Sequence, residues 1–363
     1  MRIMTVFGTR PEIIRLSRVI EKLDHFCEQT LVHTGQNYDP NLSDVFFDEL
    51  GVRQPDVHLG VQASGFAGQV GQIIARMGEL MATNHPDRLL ILGDTNSGLA
   101  AIVAARMGIP VFHMEAGNRC YDDRVPEEIN RRIIDHSSDV LMPYTERSRA
   151  NLLREGIAGQ RVYVTGNPIY EVLETYKDRI DGSDILNRMG LEPGAFFLVT
   201  MHRAENVDDP DRLAGLVAGL DAVAERYQQP VIVSVHPRTQ DKMDRFGVGA
   251  KSDLVKLSEP FGFFDFVRME KTARCVISDS GTVQEECSIF RVPNVTIRDV
   301  TERPETVEVG SNILSGGDKE ALMRAVDIVL HGPPHWDPPV EYVMPEVSTT
   351  VTKIVLGYLY RPR

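Results

Sequence analysis

MRIMTVFGTRPEIIRLSRVIEKL (Met1–Leu23) opens the chain with an apolar run, a glycine–proline turn and a stretch of helical periodicity. Ile3–Phe7 reads as a strand buried on both faces. Gly8 permits a tight turn, Pro11 fits the first turn of a helix, and Ile13–Leu23 continues with apolar residues at helical spacing. The same unit recurs downstream. Strands are expected at Thr30–His33, Leu89–Leu92, Val111–Met114, Val140–Met142 and Val162–Val164, and helices at Ala67–Met81 and Leu99–Met107. Strand–helix alternation of this kind implies parallel strands with helices on both faces.

The pattern then restarts. Phe196–Thr200, Pro230–Ser234, Leu254–Leu257, Cys275–Ser278 and Val295–Arg298 form a second strand set, with helices expected at Asp211–Tyr227, Phe264–Thr272, Val283–Phe290 and Lys319–Leu330. The seam is placed near Ile169–Leu191, where a charged helical stretch meets the loop Asp181–Asp184. A second break is His331–Tyr342, whose prolines cannot continue a helix, and Val347–Tyr360 suits one last helix. The reading is therefore α/β: two Rossmann-like, doubly wound domains facing a central cleft at the carboxyl ends of both sheets, where such folds bind ligands.

Composition agrees with that size. A chain of 363 residues, 42% hydrophobic and 25% charged, suits two folded domains. The formal charge of −13 (39 basic against 52 acidic residues) argues against nonspecific attraction to nucleic acid or an anionic membrane. Four scattered cysteines, Cys27, Cys120, Cys275 and Cys287, form no CxxC pair, which argues against a zinc ribbon or a disulfide scaffold and for reduced, buried thiols. The amino terminus lacks a signal peptide's basic and apolar regions, and no apolar run reaches the ~20 residues of a membrane span. The expected compartment is the cytoplasm, and neither a metal nor a cofactor is expected.

Charged motifs sit at the strand ends. In GTRPEIIR (Gly8–Arg15), Arg10 offers fork geometry for phosphate oxygens, though turn chemistry alone accounts for much of the motif. No G-x-G-x-x-G follows the strand, so a dinucleotide fingerprint is missing. LGDTNSG (Leu92–Gly98) places Asp94 where a catalytic carboxylate would sit, a plain helix cap being the alternative. HMEAGNRC (His113–Cys120) sets Glu115 among apolar residues, where a carboxylate needs a partner or a task. In VPEEINRRIIDH (Val125–His136), Glu127 and Arg131 stand four apart on one helix face, either at the site or as a solvated ion pair. The second half adds His202, Arg203 and Glu205 in MHRAEN, and His236 and Arg238 in SVHPR. ISDSGTVQEE (Ile277–Glu286) brings Ser280 and Gly281 to a helix start, with Glu286 farther along, and TERPE adds Arg303.

In this order the motifs GTRPE, LGDTNS, HMEAGNR, PEEINRR, VTGNP, HRAEN, VHPR, SDSGTVQEE and TERPE resemble the non-hydrolysing UDP-N-acetylglucosamine 2-epimerases, over Arg2 to about Gly316. GTRPEIIRLS, VHTGQNYD, HMEAGNRC and MPYTERSR look most similar to the branch that converts UDP-2-acetamido-2,6-dideoxy-L-talose to UDP-N-acetyl-L-fucosamine for capsule or O-antigen synthesis. The resemblance implies the two-domain GT-B fold: residues 1–170 carrying the acid–base groups, 171–340 binding UDP, and the last helix, 347–360, returning to the first domain. It implies a homodimer and a UDP-2-acetamido sugar as substrate. It also implies catalytic or diphosphate roles for Arg10, Asp94, Glu115, Glu127, Arg131 and His202, and diphosphate and ribose contacts for Ser280, Gly281 and Glu286. His236 is grouped with the UDP-binding residues, Arg303 matches a further active-site arginine, and Phe266 stands where the family places a ring near the uracil. Three departures are visible. Arg15 replaces the usual lysine, Thr282 replaces a glycine after Ser280–Gly281, and Gln36–Asn37 replaces a glutamine–histidine pair, so the activating site that segment helps to form is not carried over.

The hydrogen on an acetamido-bearing ring carbon is not acidic, since no carbonyl adjoins it. Without a nicotinamide loop, the route left is elimination of UDP to an unsaturated sugar and re-addition with protonation on the opposite face. A UDP-GlcNAc/UDP-ManNAc epimerase is the alternative within the family. A hydrolytic epimerase, a glycosyltransferase on the same scaffold and a catalytically silent sugar-nucleotide sensor are the alternatives outside it.

Overall fold

The computed structural model describes residues 1–36, 46–63, 65–332 and 334–359. Asn37 and Tyr360, both named in the sequence expectations, lie outside the described residues. The chain divides into two compact units, one of Met1–Thr175 with Val340–Arg363, the other of Tyr176–Pro339.

Among the described residues, the first unit holds six parallel strands: β1 (Arg2–Phe7), β2 (Glu28–His33), β3 (Val57–His58), β4 (Arg88–Leu92), β5 (Val111–Met114) and β6 (Val140–Met142). Their order is β3-β2-β1-β4-β5-β6. The second unit holds β7 (Phe197–Met201), β8 (Val231–Val235), β9 (Val255–Ser258), β10 (Cys275–Ser278), β11 (Asn294–Thr296) and β12 (Asn312–Leu314), ordered β12-β11-β10-β7-β8-β9. Counted from its own first strand, the second sheet repeats the order of the first. Both are doubly wound sheets of Rossmann order, with strand direction of travel reversing between β1 and β4 and again between β7 and β10.

The strands form for the reason the apolar runs suggest. β4 and β5 are buried at every position, as strands covered by helices on both faces must be. In the first unit Met4, Val6, Leu89, Ile91 and Val111 pack against Ile73, Met77 and Met81 of the helix Phe66–Asn84. In the second, Val199, Val233 and Ile277 pack against Leu213, Leu216 and Leu220 of the helix Pro210–Tyr227. The last helix, Val347–Gly357, packs on the helix Arg10–Phe26. There Ser348 N donates to Glu171 Oε2 at 2.8 Å, and the buried Arg88 guanidinium donates to the Val355 carbonyl, closing the helix's carboxyl end.

Two short edge strands, β3 and β12, were not expected from the sequence, because two or three residues carry no readable period. The expected strand Val162–Val164 is instead a single bridge from Val162 to Leu141 beside a short 3-10 turn, Gly159–Arg161. Among the described residues no helix is long and apolar enough to cross a membrane.

Candidate active site

The point where strand order reverses opens a crevice at the carboxyl ends of the two strands beside it. In the first unit those strands are β1 and β4, and the motifs GTRPE and LGDTN are the loops that leave them. Gly8 is required by close approach: a methyl group there would lie 2.2 Å from Thr34 Oγ1 and 2.3 Å from Ser97 Oγ. Those two hydroxyls bond each other at 2.7 Å. Arg10 follows at the first helical position, its guanidinium 5.4 Å from the centre of the Phe46 ring.

Asp94 is not a helix cap. Its carboxylate accepts from Arg131 Nε at 2.8 Å, while its carbonyl accepts from Asn130 Nδ2 at 3.0 Å. Nor do the residues behind it cap the next turn with their side chains, since the Thr95 hydroxyl donates to Glu12 instead. Arg131 is buried and also bonds Glu128 Oε2 at 2.7 Å. Glu128, three residues before it, is the buried acid of the PEE pair and accepts from Cys120 N and Tyr121 N, while Glu127 is half-buried on the helix Pro126–Ser137. Cys120 is half-buried rather than buried, with its sulfur 3.3 Å from Glu128, and Cys27 is half-buried too.

Glu115 is held in the left-handed backbone region at φ 65. A side-chain-bearing residue there costs roughly 1–3 kcal/mol and persists where surrounding structure enforces it, commonly at functional sites. Its carboxylate is buried and takes three donors at 3.3 Å each: Arg15 Nη1, Tyr144 Oη and Asn118 Nδ2. Beneath it His113 bridges Asp135 and the Gly93 carbonyl, both at 2.9 Å, so both ring nitrogens face acceptors. Burial alone would raise Asp135, but the bonds and charges of His113 and Arg119 more than offset it and hold the carboxylate below its usual range. This buried network ties the loop after β4 to the loop after β5.

Glu12 was quoted in the sequence motif without a role. Burial lifts it from 4.5 to about 7, against the bonds from Thr9, Gly8 and Thr95 that favour its ionised form.

In the second unit the reversal lies between β7 and β10, and the loops are HRAEN and SDSGT. Asp279, not singled out from sequence, is fully buried and organises both. It accepts from His202 N, Arg203 N at 2.9 Å and Asn206 Nδ2 at 3.0 Å, and its Oδ1 lies 3.3 Å from His202 Nδ1. Burial opposes its charge, yet His202 and these donors keep it ionised below the ordinary range. The His202 ring stays 41% exposed and lies 6.0 Å from the His236 ring. His236 itself caps the helix Pro237–Phe246, its Nδ1 accepting from Arg238 N.

Gly281 begins the helix Gly281–Phe290, and a methyl group there would lie 2.7 Å from Glu302 Oε1 and 3.7 Å from Arg303 Cζ. Ser280 supplies no side-chain cap. Its hydroxyl pairs with that of Thr282 at 3.0 Å, a contact that glycine at position 282 would lack. Arg303 is buried and salt-bridged to the fully buried Glu285. Glu286 shares a hydrogen bond with the buried Glu270. Burial, then repulsion from Glu286, pushes the Glu270 carboxyl well above the usual carboxylate range. Phe266 packs partly buried against the apolar cluster under the helix Phe263–Thr272. Among the described residues no group of three or more His, Cys, Asp or Glu side chains could hold a metal ion.

Glu128, Asp279 and Glu270 are buried neighbours of these motifs that the sequence reading gave no role, and Arg15 was noted there only as a departure. Only Glu128 carried a local signal, its three-residue spacing from Arg131.

With this geometry in hand, comparisons with known proteins bear on what the loops serve. A family model described as UDP-N-acetylglucosamine 2-epimerase matches residues 21–356. The UDP-N-acetylglucosamine 2-epimerase of Methanocaldococcus jannaschii is 40% identical over 348 residues, 93% of this chain and 95% of that one. The UDP-2,3-diacetamido-2,3-dideoxy-D-glucuronate 2-epimerase of Pseudomonas aeruginosa is 33% identical over 331 residues, 90% of this chain and 91% of that one. A crystal structure of the M. jannaschii enzyme with UDP-GlcNAc and UDP matches 99% of this chain and all of its own, with a TM-score of 0.94 at 36% identity. The architecture is accordingly two Rossmann-like domains of the GT-B type, and the chain is an isomerase belonging to the non-hydrolysing UDP-N-acetylglucosamine 2-epimerase family.

Proposed function

We propose that the chain interconverts UDP-GlcNAc and UDP-N-acetylmannosamine by inverting the sugar carbon that bears the acetamido group. The observation that carries this reading is the near end-to-end match to an enzyme crystallised with UDP-GlcNAc and UDP. A carboxylate of the set Asp94, Glu115 and Glu127 removes the proton from carbon 2. The C–H electron pair forms a double bond to carbon 1, and the bond from carbon 1 to the diphosphate oxygen breaks with its electrons leaving on UDP. Arg10, Arg131, His202, Arg303 and the backbone at Ser280–Gly281 stabilise that diphosphate, while Glu286 takes the ribose hydroxyls and Phe266 and His236 bound the nucleotide. Protonation of carbon 2 on the opposite face and return of UDP to carbon 1 complete the inversion. No electrons are lost overall, so the balance needs no redox partner.

A second reading, conversion of UDP-2-acetamido-2,6-dideoxy-L-talose to UDP-N-acetyl-L-fucosamine, is favoured by the motifs GTRPEIIRLS, VHTGQNYD, HMEAGNRC and MPYTERSR. Incubating the purified protein with each UDP-sugar in deuterated buffer, without NAD, separates the readings by NMR. The expected result is epimer formation from UDP-GlcNAc with one deuterium at carbon 2. Turnover of the talose sugar alone transfers the assignment to the second reading. Unlabelled product excludes elimination–addition, and free UDP released in step with turnover marks a hydrolytic enzyme.

A further inference from the structure

We propose that Glu12 is a positioning residue that holds the two loops of the first unit's crevice, those bearing Arg10 and Asp94, in one fixed arrangement. Its side chain is only 2% exposed, yet it touches both loops. Oε2 accepts from Gly8 N at 3.0 Å and Thr9 Oγ1 at 2.7 Å, on the loop that runs into Arg10. Oε1 accepts from Thr95 Oγ1 at 3.1 Å, next to Asp94. An acid three residues past the helix N-cap usually reaches back to the cap's own N–H. Glu12 makes that contact with Thr9 and reaches one residue farther back, to Gly8, while its other oxygen crosses to a separate strand's loop. A helix cap explains the first contact and not the last.

The consequence follows from the fold. β1 and β4 are hydrogen-bonded from Ile3–Arg88 to Val6–Ile91, but no chain segment joins them directly and the ladder ends there, so the spacing of the loops beyond depends on side-chain ties. Beside the close packing of Gly8 on Ser97, one buried carboxylate bonded to both loops supplies that tie. The tie also survives a proton on Glu12, because the Thr95 hydroxyl can reverse and accept. The proposal rests on the epimerase reading only for its kinetic readout.

The test uses the full chain and the variants Glu12→Ala, Glu12→Gln and Thr95→Val. Wild-type turnover of UDP-GlcNAc is measured first, and its absence would count against the function proposed above, not against the tie. Glu12→Ala is expected to lower kcat about 100-fold, the scale of a small misplacement of reacting groups, with KM and the Kd for UDP within about 3-fold of wild type. Thr95→Val, losing one bond, is expected to lower kcat about 10-fold, and Glu12→Gln to fall between wild type and Glu12→Ala. Amide hydrogen exchange supplies a readout independent of turnover: Gly8 exchange should accelerate about 10-fold or more in Glu12→Ala. Thr95→Val, which leaves the Gly8 bond in place, should speed exchange only in the loop after β4. Wild-type kcat in both Glu12→Ala and Thr95→Val, unchanged Gly8 exchange in Glu12→Ala, or a rise in KM with kcat intact would each overturn the proposal. Should Glu12→Ala fail to fold, Thr95→Val decides by the same measures.

Discussion

Glu115 shows what a single position can demand. Its backbone is in a region that favours glycine, its side chain is buried, and three donors converge on its carboxylate. Asp94 differs in being 23% exposed while locked to a buried arginine. Replacing either by its amide keeps shape and removes the charge. Asp94→Asn and Glu115→Gln are each expected to lower kcat by about 10² to 10⁴, the range of general acid–base effects, with UDP affinity little changed by calorimetry. Turnover near wild type in both would remove them from the chemistry. Glu12 gives a pH prediction of its own. Below pH 4.5 its carboxyl is protonated whether the chain is folded or not, so the favourable state is fully present there. Between 4.5 and about 7 the unfolded chain ionises while the folded one keeps its proton, so stability falls as pH rises through that window. The loss is about 3 kcal/mol at most, for a carboxyl that ionises near 4.5 in the unfolded chain and at about 7 in the folded one. Urea unfolding of wild type and Glu12→Gln at pH 5 and pH 7.5 should show the pH slope in wild type and a flatter one in the variant.

At the scale of the element, the unit of construction is a buried strand, a close turn and a helix. Gly8 illustrates how tight the turn is, because the space a side chain would need is filled by the Thr34–Ser97 hydroxyl pair. Gly8→Ala is expected to cost about 1–3 kcal/mol by thermal unfolding, the usual penalty of overpacking a site that cannot relax, and to lower turnover with it. An unchanged Tm would mean that the loop relaxes to admit the methyl group. Most elements were legible from their apolar periodicity: β5, β6 and β10 span the residues expected, and the helix Phe263–Thr272 starts one residue early. Helices such as Glu146–Arg154 and Pro237–Phe246 were not foreseen, and the strands misjudged share one cause. β3 and β12 are sheet-edge segments of two and three residues, set by register with a neighbour, and Val162 pairs at one position only. Periodicity needs length, and these have none.

For the molecule as a whole, the chain leaves its first unit near Thr175 and returns to it at Val340. The returning helix buries Val347, Val351 and Val355. The sole tryptophan, Trp336, belongs to the other unit and donates to Ser288 O at 3.1 Å. Val351→Asp places a charge in an apolar contact and is expected to cost the first unit about 3 kcal/mol or more. Far-UV circular dichroism should then show an early thermal transition that Trp336 fluorescence does not follow. Coincident transitions would mean that the two units unfold as one. Taken alone, the sequence determined the α/β class, the restart of the pattern after the seam and the placing of charged motifs at strand ends. Those features are written in local spacing, where periodicity and turn chemistry act. Only the tertiary structure decided which charges meet: Arg15 with Glu115, Arg131 with Asp94 and Glu128, Asp279 beneath His202, and Glu270 buried against Glu286. Such pairings depend on strand register and on the exclusion of water, and neither is written in the distance between residues along a chain.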